Sequence, residues 1–271
     1  LISACGSLGA SFGGLLVSNY LYDKENLSLV ITIISMLLAI YFSSRVKRQE
    51  QAFKGDSSTF KQVFEQFTQI KENPLIRNFI FYAFIWTCLS TALWFFQLEI
   101  INNFTNDSAV KTQIFGRADS MVPIITLATQ LLLTSYFLRS KYLGIRFVLT
   151  MYGVLFTVAF LAVSGYFSEY LLSASGITLF LILQGTMRPF EYGLNKPARE
   201  AVFTTLSTKE KYKSTVFIDT FTNRFGDATG GFLFNSLLSF GLLLYAAPLA
   251  IIPLAILSLI HISEPTRQIV I

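Results

Sequence analysis

The chain of 271 residues is 53% hydrophobic and 15% aromatic, with only 14% charged residues and a mean hydropathy of +0.55. That composition excludes an ordinary soluble domain, whose charged fraction is nearer about a quarter. The formal charge of +5 gathers between apolar stretches instead of forming the continuous basic face that nucleic acid requires, so topology explains it better than a nucleic-acid partner does. An all-α, polytopic transmembrane bundle is expected, with the lipid bilayer as its surroundings.

A span needs about 20 predominantly apolar residues. Eight stretches meet that length, at residues 2–20, 27–44, 79–101, 115–138, 147–166, 171–190, 215–238 and 240–260. The first opens at Leu1 with neither Met nor a basic leader, as expected of a truncated start. Within it Gly9 and Gly13 form GxxxG, widened by Cys5, Gly6, Ala10 and Gly14, and Gly226 and Gly230 repeat the spacing in the seventh. Small residues let membrane helices touch, and ordinary packing is their simplest use. Between the second and third spans, residues 49–76 read as a basic linker. Its amphipathic segment, 58–72, carries Phe60, Val63, Phe64, Phe67 and Ile70 on one stripe. Too short to cross, it suits an interfacial helix or a linker helix packed on the bundle. At the far end, LSLIHISEPTR (257–267) resembles the translation of a transposase sequencing adapter, so residues 261–271, including the chain's only histidine, His261, are expected to be a non-native tail.

Loop charge orients the spans, because Lys and Arg accumulate on the cytoplasmic side of short loops. The second connection carries Arg45, Lys47, Arg48, Lys54, Lys61, Lys71 and Arg77. The fourth carries Arg139, Lys141 and Arg146, and the sixth Lys196, Arg199, Lys209, Lys211 and Lys213. The odd connections are nearly bare of cations, so both ends are expected in the cytoplasm.

Five charges interrupt the sixth and seventh stretches or lie just past them: Arg188, Glu191, Asp219, Arg224 and Asp227. An ionisable group at bilayer depth costs about 2.5–3.5 kcal/mol on insertion scales, so each must pair, face water or bind something. Gln184, Arg188, Glu191 and Asn195 recur at helical spacing and define one polar stripe. Asp219, Asn223 and Asp227 are four apart, with Arg224 three before Asp227. The fourth stretch adds Gln113, Arg117, Asp119 and Gln130, and Glu99 closes the third. Such charges either fix helix register as structural pairs or line a solute path. Pro189, directly after Arg188, lacks an N–H and loosens the helix there, as a bend or beside a binding site.

The run RPFEYGLNKPAREAVFTTLSTKEKYKSTVFIDTFTNRFGDATGGFL, residues 188–233, resembles the ATP:ADP antiporter family of plastid and intracellular-bacterial nucleotide exchangers. LEIINNF and FGRAD, between residues 98 and 119, and GSLGASFGG at 6–14 are similar as well. The resemblance implies a major-facilitator-like fold of twelve helices in two halves, of which this chain supplies the fifth to the twelfth. Residues 1–48 would then be the last two helices of the N-terminal half, and 77–260 the six-helix C-terminal half. It further implies alternating access in a bacterial inner membrane, with ATP and ADP as the small anionic solutes. A nucleotide's charge calls for Arg, whose planar fork binds phosphate oxygens bidentately. The substrate-binding role is thereby carried onto Arg117, Asp119, Arg188, Glu191, Asn195, Lys196, Arg199, Asp219, Asn223, Arg224 and Asp227, with Lys196 and Arg199 at the cytoplasmic mouth and Tyr192 the nearest ring for stacking a base.

Two other functions fit the same residues: a major-facilitator carrier for another anionic metabolite, and a non-transporting structural membrane protein whose charges only lock helices. An enzyme is not expected, since HExxH, GxSxG and GxxxxGK[ST] are missing from the sequence and GDATGG lacks the Lys and Ser/Thr of a phosphate loop. Cys5 and Cys88 lie on different helices and the carboxylates have cationic neighbours, so neither a metal nor a cofactor is expected. Asn103-Phe-Thr105 matches a glycosylation acceptor, relevant only in a secretory pathway. A monomer is the default oligomeric state.

Overall fold

The structure is a computed structural model and describes residues 2–45, 73–139, 144–167, 176–240 and residue 252. Among the described residues it is all-helical, with no strand. Among the described residues four helices are long and apolar enough to cross a membrane: Glu25–Arg45, Ile76–Phe104, Ser108–Leu138 and Phe147–Phe167. They coincide with the second to fifth expected spans, and they make this an integral membrane protein. The eighth expected span, apart from residues 240 and 252, lies outside the described residues. So do the amphipathic segment 58–72 and the tail 261–271.

In chain order the helices are α1 (Ile2–Leu16), α2 (Glu25–Arg45), α3 (Pro74–Phe104), α4 (Ser108–Thr129), α5 (Ser135–Arg139), α6 (Gly144–Phe167), α7 (Gly176–Phe190), α8 (Lys196–Val202), α9 (Thr208–Phe217) and α10 (Asn223–Ser239). Several of these join end to end through single π-helical turns. One turn, Gln130–Thr134, links α4 to α5; a second, Glu191–Asn195, links α7 to α8; a third, Ile218–Thr222, links α9 to α10. A fourth, Val17–Leu21, extends α1. The seventh expected span is therefore interrupted at Ile218–Thr222, which leaves α10 with 17 residues, whereas the described part of the sixth is continuous to Phe190, where the turn at Glu191 begins. The interruption after α7 starts at Glu191, two residues beyond Pro189, where the missing proline N–H has already weakened the hydrogen-bond ladder.

The core is built by α3 and α6. Tyr82, Trp86, Leu89, Leu93, Phe96 and Ile100 recur on α3 at helical spacing, and all are buried. They meet Tyr152, Phe156, Phe160 and Val163 of α6. Rings cross edge-on or tilted, with Trp86 and Phe156 centroids 4.9 Å apart and Phe96 and Phe234 5.0 Å apart, within the range aromatic pairs favour.

Two helix pairs approach backbone to backbone. On α10, a Cβ at Gly226 would stand 2.8 Å from Thr87 Cβ and 3.0 Å from the Phe84 carbonyl oxygen, and one at Gly230 would fall on the Cys88 carbonyl oxygen. On α1 the close residue is Gly14, whose added Cβ would lie 2.5 Å from Ser120 N of α4; Gly116 meets Ser18 N at 2.9 Å in the same seam. At the expected GxxxG pair, Gly9 and Gly13, an added Cβ would meet nothing within 4 Å among the described residues. Close approach on α1 thus belongs to Gly14, one position beyond Gly13, because α4 crosses α1 near its C-terminal end. Against the described bundle α2 buries no residue, so its apolar side chains are stable only where hydrocarbon surrounds them.

Candidate functional site

A cavity of about 580 Å³ opens between α1, α4 and the α7–α8 rod. Its polar lining comes chiefly from one stripe of that rod, Arg188, Tyr192, Lys196 and Glu200, opposed by Gln130 of the π-turn after α4. The four-residue spacing 188, 192, 196, 200 is the helical repeat, which explains why one face supplies them. On the far wall, Gly6, Ser7 and Ala10 of α1 present small side chains, so part of the unpartnered small surface of α1 borders the cavity.

Arg188 is the centre of the site. Its Nη1 donates to Asp119 Oδ1 at 2.6 Å and to Gln184 Oε1 at 3.4 Å. Gln184 in turn donates through Nε2 to Gln97 Oε1 of α3 at 2.7 Å, and Gln97 Nε2 donates to the Leu93 carbonyl at 3.3 Å. Both glutamines are buried. Because each amide has one donor and one acceptor end, Gln97 obliges Gln184 to turn its oxygen toward Arg188. The Arg188 and Asp119 side chains themselves remain 41% and 55% exposed.

The neighbouring face of the same rod builds a second, drier cluster. Arg199 Nη2 donates to Glu191 Oε1 at 2.7 Å, Asn195 Nδ2 donates to Glu191 Oε2 at 2.7 Å, and Tyr82 OH donates to Asn195 Oδ1 at 3.1 Å. Asn195 is fully buried, and Arg199 and Glu191 are 17% and 25% exposed. Both Glu191 oxygens are engaged, which is how a buried charge is tolerated. Here the residues lock α7–α8 against α3.

A third cluster lies along the α9–α10 rod where it meets α3. Thr91 Oγ1 donates to Asp227 Oδ1 at 2.8 Å, and Thr87 Oγ1 donates to Asn223 Oδ1 at 3.1 Å. Asn223 Nδ2 reaches Asp219 Oδ1 at 3.3 Å, and the expected Arg224–Asp227 ion pair forms at 3.6 Å.

The π-turns at Gln130–Thr134 and Glu191–Asn195 are bonded to each other. Gln130 Nε2 donates to the Tyr192 carbonyl at 3.1 Å, and Thr134 Oγ1 donates to the Gly193 carbonyl. A π-turn loosens the local ladder and leaves carbonyls in need of donors; here the side chains of one turn supply them to the other.

The eleven sequence-predicted residues are therefore divided. Arg188 and Lys196 line the cavity and Asp119 attaches to its rim; Glu191, Asn195 and Arg199 form the dry cluster; Asp219, Asn223, Arg224 and Asp227 form the α10 cluster; Arg117 is exposed on α4 and outside the lining. The predicted stripe Gln184, Arg188, Glu191, Asn195 separates in the same way, with Gln184 and Asn195 turned onto α3 and Arg188 reaching sideways to α4. Sequence reasoning missed Gln97, Tyr82 and Glu200. The one Gln in the 79–101 stretch, flanked by Phe95, Phe96 and Leu98, was the available signal for the first.

No family model matches the chain, and no curated protein or solved structure matches it either.

Proposed function

We propose that this protein is a membrane carrier for a small anionic solute, working by alternating access, with ATP/ADP exchange as the specific activity. The observation that carries this reading is the cavity bordered by Arg188 and Lys196 inside an apolar helical bundle. A cation half open to such a cavity has no structural need to be there, since an apolar side chain would be cheaper to insert. Interrupted helices beside the cavity also support it, because carriers place solute near unwound or broken segments whose backbone can change state. Eight spans in a major-facilitator-like arrangement complete the proposal. In it α1 and α4 belong to opposite halves, and their glycine-lined seam is the surface along which those halves rock. Glu191–Arg199 and the α10 cluster serve as fixed seams that keep the C-terminal half rigid.

The deciding experiment is counterflow in proteoliposomes containing the full-length protein. Internal ADP is expected to accelerate entry of labelled ATP, and Arg188→Gln is expected to abolish that entry at normal abundance and folding. If internal ADP leaves ATP entry unchanged, the nucleotide assignment fails. If Arg188→Gln instead eliminates folded protein, Arg188 is a structural lock and the carrier reading loses its anchor.

A further inference from the structure

We infer that Asp119 is a resident counter-ion that the incoming anion must displace from Arg188, so that this ion pair is an internal competitor for the solute. The inference rests on the carrier reading above. Its basis is the asymmetry between the two acceptors on Arg188 Nη1. Gln184 Oε1 is held in place by a buried amide chain anchored on the Leu93 carbonyl. Asp119 Oδ1 comes from an exposed side chain on a different helix. The shorter contact is thus the one free to leave.

Charge explains why such a partner exists. Lys196 and Glu200 both border the cavity and cancel formally. With Asp119 attached to Arg188 the empty cavity is neutral, and an unoccupied carrier has no uncompensated cation in the membrane. When Asp119 turns away, one net positive charge remains, centred on a guanidinium that is still oriented by Gln184. The vacated partner was a carboxylate, so the replacing group is an oxyanion of similar shape, either a carboxylate or a phosphate oxygen pair. An ion pair as exposed as this one is weak, which lets modest solute binding outcompete it.

The test is calorimetric titration of ATP into the full-length protein in nanodiscs at constant chloride, comparing wild type, Asp119→Asn, Asp119→Ala, Arg188→Gln and the double variant Asp119→Asn with Arg188→Gln. Removing the competitor is expected to tighten ATP binding by about two- to fivefold, the range an exposed ion pair can supply. The gain should vanish in the Arg188→Gln background, which itself should lose binding. Unchanged or weaker ATP binding by folded Asp119→Asn and Asp119→Ala, alongside normal wild-type binding, overturns the inference and leaves the carrier reading standing. Loss of fold in both Asp119 variants makes Asp119 a structural lock and also overturns it. If the wild type itself fails to bind ATP, the nucleotide reading and this inference fall together.

Discussion

Asn195 is fully buried and joins the α7–α8 rod to α3: its amide donates to Glu191 and its oxygen accepts from Tyr82. Asn195→Leu would remove one hydrogen-bond partner each from the Glu191 carboxylate and the buried Tyr82 hydroxyl. That costs about 1–3 kcal/mol, so a fall in the thermal unfolding midpoint of the detergent-solubilised protein is expected. Tyr82→Phe removes only one donor and should cost less. A midpoint that rises in Asn195→Leu would mean the cluster is not a stability device. At the aqueous end of the α9–α10 rod, Ser207 caps α9 in a reciprocal box with Glu210. The Ser207 hydroxyl, and behind it the Ser207 backbone N–H, hold the Glu210 carboxyl below its ordinary range. A folded pKa lower than the unfolded one stabilises the cap above the ordinary carboxylate value and loses that contribution as pH falls through the lowered one. In Ser207→Ala a carbon-13 titration of Glu210 should move back up toward the ordinary range.

Helix seams follow a different rule, because lipid tails are as apolar as the side chains they would replace and only close packing and hydrogen bonds favour contact. The seam of α10 on α3 combines both: Gly226 and Gly230 let the backbones meet, and Thr87 and Thr91 then come within reach of Asn223 and Asp227. Gly230→Leu would force α10 away and break these bonds together, so loss of monodisperse folded protein is expected on size-exclusion chromatography. The α1 helix offers an internal control. Gly14→Leu collides with the α4 backbone, whereas Gly9→Leu points into open space. The first should destabilise by several-fold more than the second, and equal effects would show that the α1–α4 seam does not lie where described. The paired π-turns extend this logic: Gln130→Leu leaves the Tyr192 carbonyl without its donor, and the α7–α8 rod should become more susceptible to limited proteolysis.

At the scale of the whole molecule, positive loops predict sidedness. Single cysteines at Asp107 and Ser207, introduced with Cys5 and Cys88 replaced by serine, should label oppositely with a membrane-impermeant maleimide on intact cells. Asp107→Cys is expected to react directly and Ser207→Cys only after permeabilisation; the reverse result overturns the orientation. Alternation of apolar and basic segments is a one-dimensional property, which is why the second to fifth spans were legible to within a few residues at every end except the start of the fourth, which begins earlier, at Ser108. The π-turns were not legible: the one at Ile218 breaks the seventh expected span and the one at Glu191 follows the sixth, and both arise from competition between the helix ladder and its neighbours, Pro189 among them, which a hydropathy window does not register.

What the chain's residues determined unaided is that it is helical, crosses a membrane and carries charges that demand partners, because insertion energy depends on local composition. Which partner each charge takes was decided by tertiary structure. Arg188 and Glu191 sit three residues apart on one rod, yet the first opens to a cavity and the second is engaged on both oxygens by Asn195 and by Arg199 of α8. A difference of one helical face separates them, and only the neighbouring helices determine which face is dry.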